Sequence, residues 1–185
     1  MSGKGSSEQE RFATEIMLHL DHLYRVAFYL AKNEHDAQDC VQETCARALA
    51  SRAQFTPGTK LKAWLTRILY NFFLDAYARN RRMTAADEVL DSEAGENLWA
   101  ALPSTHPGPE RKLLEAELAE KIGEALKKIP EEFRGPIVLV DMGDFSYQEA
   151  AEILACPIGT VRSRLSRGRR LLAALLGGYL AQTGR

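Results

Sequence analysis

Arginine and serine recur near the end of the chain in a pattern that suits reading a DNA groove. Within 145–172, Gly159, Ser163, Ser166, Arg167 and Arg170 share one side of a helix, flanked by Thr160, Arg162, Arg164 and Arg169. Val161, Leu165, Gly168 and Leu172 fall on the other side and form an apolar back. Arginine offers a planar fork of donors to phosphates and guanine edges, and serine fits several base edges, so this front has the chemistry of a duplex reader. The residues before it supply support. Ser146 and Glu149 have capping-box spacing, which predicts a helix starting at Tyr147 that buries Tyr147, Ala150, Ala151 and Leu154. Ala155-Cys156-Pro157 breaks that helix, because a proline ring clashes with a continuing one. Two helices, a tight turn and a polar front predict a DNA-binding helix-turn-helix. From residue 153 onward there are six arginines and no acid. A basic solvated helix closing a bundle is the plainer alternative, but it does not account for cap, turn and polar front together.

Two further constellations precede it. In 54–82 the aromatics Phe55, Trp64, Tyr70, Phe72, Phe73 and Tyr77 are interleaved with Lys60, Lys62, Arg67, Arg79, Arg81 and Arg82. Aromatic faces stack bases while cations follow phosphates, which is how single strands are held. Some of these rings must instead be core, since so many cannot all be exposed cheaply. In 36–53, Asp39 and Glu43 lie four residues apart with Gln42 at the edge of their face, a small acidic patch. A solvated face is the ordinary explanation of such a patch.

Helical periodicity runs through the rest of the chain. Phe12, Ile16, Leu20, Leu23, Ala27 and Leu30 predict one amphipathic helix or two abutting ones over 11–31, after a mobile polar start at 1–10. Asn33 is placed to cap the helix that carries the acidic patch, in which Val41, Ala48 and Leu49 should face inward beside Cys45. Pro57-Gly58 marks a turn, and a long helix over 61–82 follows, with Leu61, Leu65, Ile68 and Phe72 inward. Segment 83–109 holds five acids, no Lys or Arg, and ends in a proline-rich linker sequence. Helices over 110–128 and 131–142 lead to the helix-turn-helix, which should close at Gly177-Gly178 and leave 179–185 frayed. Gly168 lies inside a helix, where glycine loses roughly 0.5–1 kcal/mol relative to alanine, so Gly168→Ala should stabilise unless another backbone packs there.

Composition narrows the classes. The 185 residues are 45% hydrophobic and 26% charged with a net charge of −1, ordinary for a soluble globular chain. The charge layout is basic, acidic, basic: 12 cations against 9 acids in 1–82, and 12 against 11 in 110–185. Cys40, Cys45 and Cys156 lack metal or redox spacing, and no apolar run approaches the roughly 20 residues of a membrane span. A reduced, cytoplasmic protein without membrane contact is expected, with no metal or other cofactor. No nucleophile–base pair or Gly-rich phosphate loop is visible, which predicts no catalysis of its own.

The motifs also carry a resemblance. Ala150-Ala151, Leu154, Pro157, Gly159-Thr160-Val161 and Ser163-Arg164-Leu165 resemble the promoter-binding helix-turn-helix of bacterial sigma-70-family factors, nearest to their extracytoplasmic-function (ECF) group. Asp36-Ala37, Asp39 and Val41-Gln42-Glu43-Thr44 resemble the D-A-x-D-L-V-Q-E-T run of sigma region 2. Ala63-Trp64-Leu65, Arg67-Ile68, Asn71, Asp75 and Arg79 resemble its promoter-melting helix. Ala155 stands where glycine is common, Gly168 where alanine is, Cys40 and Cys45 for Leu and Phe, and Tyr70 and Ala78 for Arg.

The resemblance implies an all-α fold of two small helical domains, 11–82 like region 2 and 110–178 like region 4, joined by the acidic linker. It implies minus-35 reading by Gly159, Thr160, Arg162, Ser163, Arg164, Ser166, Arg167 and Arg170. Minus-10 recognition and melting fall to Phe55, Lys60, Lys62, Trp64, Arg67, Asn71, Asp75 and Arg79, with a flipped base captured by the loop before that helix. Docking on the beta-prime clamp helices of core RNA polymerase falls to Asp36, Asp39, Gln42 and Glu43. The linker would thread a polymerase channel; the beta subunit, promoter DNA and an anti-sigma factor are the other implied partners. A sigma-like decoy that binds only an anti-sigma factor, and a plain helix-turn-helix repressor, are the alternative classes.

Overall fold

A computed structural model describes residues 3–31, 33–56, 58–84 and 109–183. Most of the acidic segment, including the helical turn expected near Leu98, lies outside them. All eight α-helices of the described residues belong to two bundles. The first contains α1 (Gly3–Met17), α2 (Leu20–Ala31), α3 (Glu34–Ala50) and α4 (Leu61–Thr84), with a 3-10 turn at Arg52–Gln54. The second contains α5 (Pro109–Lys128), α6 (Glu131–Ile137), α7 (Tyr147–Ile153) and α8 (Ile158–Thr183), with a π turn at Val138–Met142 after α6.

The chain before α3 divides into two helices, with Leu18 and His19 at the break, and the first starts at Gly3 rather than Arg11. Asn33 caps α3 as the sequence predicts: its Oδ1 accepts from the Asp36 amide at 2.8 Å. The inward face of α3 is Ala37, Cys40, Thr44 and Ala48. Leu49 is 37% exposed, so the stripe lies one position round from the one expected. On α4 the fully packed residues are Leu65, Leu69, Tyr70 and Phe73, while Ile68 and Phe72 are half-buried. The last helix does not stop at Gly177-Gly178; α8 continues to Thr183.

The two bundles are not separate bodies. α2 and α4 pack against the π turn and α7, and the buried residues form one continuous cluster that runs from Phe12 and Leu23 through Tyr70, Phe73 and Phe145 to Ile137 and Leu165. Each fully buried leucine in it contributes about 1.5–3 kcal/mol.

Gly168 reverses the expectation placed on it. A Cβ there would sit 2.9 Å from the Phe133 carbonyl oxygen and 2.8 Å from Ile137 Cδ1. The glycine therefore permits α6 and α8 to touch through backbone, and Gly168→Ala is expected to destabilise by about 1–3 kcal/mol. Urea denaturation of that variant reads the sign directly.

Candidate nucleic-acid interface

The helix-turn-helix is built as its sequence predicts. Ser146 Oγ accepts from the Glu149 amide at 3.2 Å while Glu149 Oε2 accepts from the Ser146 amide at 2.9 Å, a complete capping box. Ala150, Ala151 and Ile153 face the core; Tyr147 does not, and is 36% exposed. Arg162 lies over its ring, 5.7 Å from guanidinium carbon to centroid. The turn is made by Ala155 in the left-handed region, at φ 48°. A Cβ is strained there, by roughly 1 kcal/mol. Ala155→Gly is accordingly expected to raise stability by up to about 1 kcal/mol after glycine's entropy cost. A thermal melt that shows a lower Tm would contradict the strain.

On α8, Val161 and Leu165 are buried, and Gly159, Arg162, Ser163, Ser166, Arg167 and Arg170 are exposed. The predicted front is therefore one open face. Arg164 is half-buried at its side, and Thr160 is half-buried, its carbonyl accepting from Ser163 Oγ at 3.0 Å. Arg169 is engaged elsewhere. Its Nε donates to Asp141 Oδ2 at 3.0 Å and its Nη2 donates to Asp141 Oδ1, so a carboxylate from the π turn holds the guanidinium and pushes its pKa up. Bidentate pairing of this kind fixes geometry as well as charge.

The aromatic–basic stretch splits into three groups. Arg67, Asn71, Asp75 and Arg79 are exposed and follow four-residue steps along α4. Lys60, just before α4, is exposed as well, and its Nζ donates to Glu149 Oε1 of α7 at 2.7 Å. Phe55 and Trp64 are half-buried, 5.3 Å apart between centroids, and both pack on Phe12 of α1. They anchor the loop that Gly58 turns at φ 91°. Lys62 lies roughly 140° around the helix from Arg67. It faces the second bundle, donating to the Gly143 carbonyl at 2.8 Å and sitting 4.9 Å over the Phe145 ring. The structure thus gathers Arg67, Asn71, Asp75 and Arg79 and engages both Lys60 and Lys62 with the second bundle. Sequence reasoning had no signal for that, since the Lys62 acceptor is 81 residues away.

Within the acidic patch, Asp39 and Gln42 are exposed. Glu43 pairs with Arg47 at 2.7 Å and Asp36 accepts from Asn33 Nδ2 at 2.8 Å. Asp36 and Glu43 therefore have local partners that the sequence did not announce, and Asp39 has a looser one, His35 Nε2 at 3.7 Å. Cys40 is buried and its thiol is pushed up to about 11, first by burial and then by Asp36 and Asp39. Such a thiol is a poor nucleophile, consistent with a packing role. Among the described residues, no helix is long and apolar enough to cross a membrane.

An exposed Arg/Ser recognition face, a capped supporting helix and a second helix with an open polar stripe define a DNA-binding regulator of two helical modules. Comparison with known proteins makes the class specific. Residues 16–83 match the family model Sigma-70 region 2, and residues 119–172 match Sigma-70, region 4. The ECF RNA polymerase sigma factor EcfG of Rhodopseudomonas palustris is 38% identical over 162 residues, covering 88% of this chain and 83% of that one. SigE of Mycolicibacterium smegmatis is 37% identical over 165 residues; these cover 89% of this chain and 61% of that relative's length. In a solved structure, the sigma factor RpoE in complex with the anti-sigma factor NepR from Bartonella quintana is 31% identical with a TM-score of 0.72, over 91% of this chain and 98% of that one. The chain belongs to the sigma-70 family, in its ECF group, and is a factor for promoter-specific initiation of transcription.

Proposed function

We propose that the chain binds core RNA polymerase through Asp39, Gln42 and the neighbouring Asp36 and Glu43, and divides promoter reading between its two bundles. The face of α8 formed by Gly159, Arg162, Ser163, Ser166, Arg167 and Arg170, with Thr160 and Arg164 at its margin, enters the major groove at minus-35. The stripe Arg67, Asn71, Asp75 and Arg79 follows the opened strand at minus-10, with Lys60 and Lys62 joining it when the bundles part. Phe55 and Trp64 hold the loop that shapes the base pocket. The factor performs no chemistry of its own; polymerase does. Two solved relatives, RpoE with NepR and CnrH with the cytosolic domain of CnrY, were captured as complexes, the first with a named anti-sigma factor. That supports an anti-sigma factor as a third partner here.

The observation that carries the reading is the presence, on one chain and in the family's order, of two separate open polar faces, on α4 and α8. Run-off transcription with purified core polymerase on a promoter library tests it: promoter-dependent transcripts are expected, and their absence favours the decoy. Docking has its own test. Glu43 is paired with Arg47 at 2.7 Å whereas Asp39 has only the exposed His35 at 3.7 Å, so Asp39→Arg is the cleaner charge reversal, and it is expected to weaken core-polymerase binding about tenfold with an unchanged circular dichroism spectrum. Wild-type affinity would return Asp39 to the solvated surface.

A further inference from the structure

We propose that the second bundle is a built-in competitor for the strand-binding side of the first, offering Lys60 and Lys62 the features that a DNA single strand would offer. This rests on the reading that those lysines serve the opened strand. Three groups make the mimicry. The Glu149 carboxylate takes Lys60 Nζ at 2.7 Å, where a phosphate would stand. The Gly143 carbonyl accepts from Lys62 Nζ at 2.8 Å, where a base carbonyl would stand. The Phe145 ring lies under the same ammonium at 4.9 Å, where a base face would stand. Anion, acceptor and π face are the contacts by which proteins hold single strands. While these contacts last, both lysines are occupied, and a strand must displace α7 and the π turn to reach them.

The rest of the interface is built to release. Tyr70 donates across it to Glu131 at 2.6 Å, and Gly135 leaves just enough room for that hydroxyl, since a Cβ there would sit 2.8 Å from it. Beside them Arg134 is 1% exposed, 5.8 Å over the Phe73 ring, with its Nε and Nη1 lacking a hydrogen-bond partner among the described residues. A buried guanidinium without full pairing costs free energy that separation of the bundles recovers. The closed form is therefore held by the shared apolar cluster and a few polar contacts, and the buried charge of Arg134 opposes them.

The test uses the full chain in two variants that leave the lysines intact. Glu149→Gln with Tyr70→Phe keeps the capping box, which accepts Gln in place of Glu, and removes the charge pairing with Lys60 and the Tyr70–Glu131 hydrogen bond. Gly135→Ala drives a methyl against Tyr70. Small-angle scattering reads the radius of gyration, and fluorescence anisotropy reads affinity for a labelled mixed-sequence single-stranded oligonucleotide. Both variants are expected to expand and to bind the oligonucleotide about threefold to tenfold more tightly than wild type. An unchanged radius of gyration in both variants overturns the latch, whatever the affinity. Expansion with unchanged affinity overturns the competition. Open-complex formation by the holoenzyme carrying Lys60→Ala and Lys62→Ala then separates the two ideas: a loss there sinks only the competition, and wild-type melting sinks the strand role of these lysines as well.

Discussion

Replacing Arg162, Arg167 and Arg170 together by alanine is expected to remove minus-35-directed binding while leaving the fold in place. All three side chains are exposed on the open face of α8, and the helix is held from behind by Val161 and Leu165, which the substitutions do not touch. An arginine that contacts a base contributes about 1–3 kcal/mol and one that contacts phosphate somewhat less. Three of them together correspond to at least roughly a hundredfold in affinity. Within the protein itself the substitutions remove the stacking of Arg162 on Tyr147, a surface interaction of about 0.5–1 kcal/mol. Arg169→Ala makes the contrast, because that side chain is committed to Asp141 and its removal should lower stability rather than discrimination between promoters. Binding to wild-type and scrambled minus-35 fragments measures both. If the triple variant discriminated between them as wild type does, the reading face would lie elsewhere.

Acidification is expected to weaken the closed fold by about 2 kcal/mol between pH 7 and pH 5, through His22. The imidazole is 8% exposed, with Nε2 3.3 Å from Thr66 Oγ1 and the Phe145 ring 5.4 Å away. Burial lowers its pKa to about 4; Lys62, Arg25 and His19 push in the same direction and Asp144 opposes them. The unfolded chain takes up this proton near pH 6.5 and the folded one near 4. Stability is therefore intact above about 6.5 and falls as the pH drops through that window. Glu149 acts lower down. Its pKa is held to about 2, by Lys60 first and by Ser146, so its contribution is present above 4.5 and is lost only as pH falls toward 2. The two groups are separable by pH. Urea denaturation of His22→Gln at pH 7 and pH 5 should show the slope flattened, and a wild-type slope in that variant would assign the acid sensitivity to other groups. His22 touches Phe145 across the interface, so parting of the bundles should precede global unfolding.

Local signals were legible because their causes are local. The Ser146–Glu149 box, the Asn33 cap and the break at Ala155-Cys156-Pro157 each depend on residues within four positions of one another, and all three stand where the sequence puts them. The apolar back of α8 followed from period alone. What failed depended on distant partners. Tyr147 reads as a core residue, yet Arg162 lies over its ring. Gly168 reads as a weak helix position until Phe133 of α6 is found against it. Lys62 has a strand-binding composition around it, yet its acceptor comes from the other bundle. The division into two bundles was visible from the linker composition; their mutual packing was not, because charge and periodicity do not say which faces meet.

The backbone contact at Gly168 has a mechanical meaning. Side chains between helices act as compliant spacers, able to change rotamer and absorb a small displacement. Here the Phe133 carbonyl and the Gly168 backbone approach without such a spacer, and Ile137 fills the adjoining space. α6 and the reading helix are therefore coupled stiffly, and a tilt imposed on one is delivered to the other with little slack. Any body that grips α6 gains leverage over the angle at which Arg167 and Arg170 meet the groove, and a single methyl group at position 168 would be enough to reset that angle.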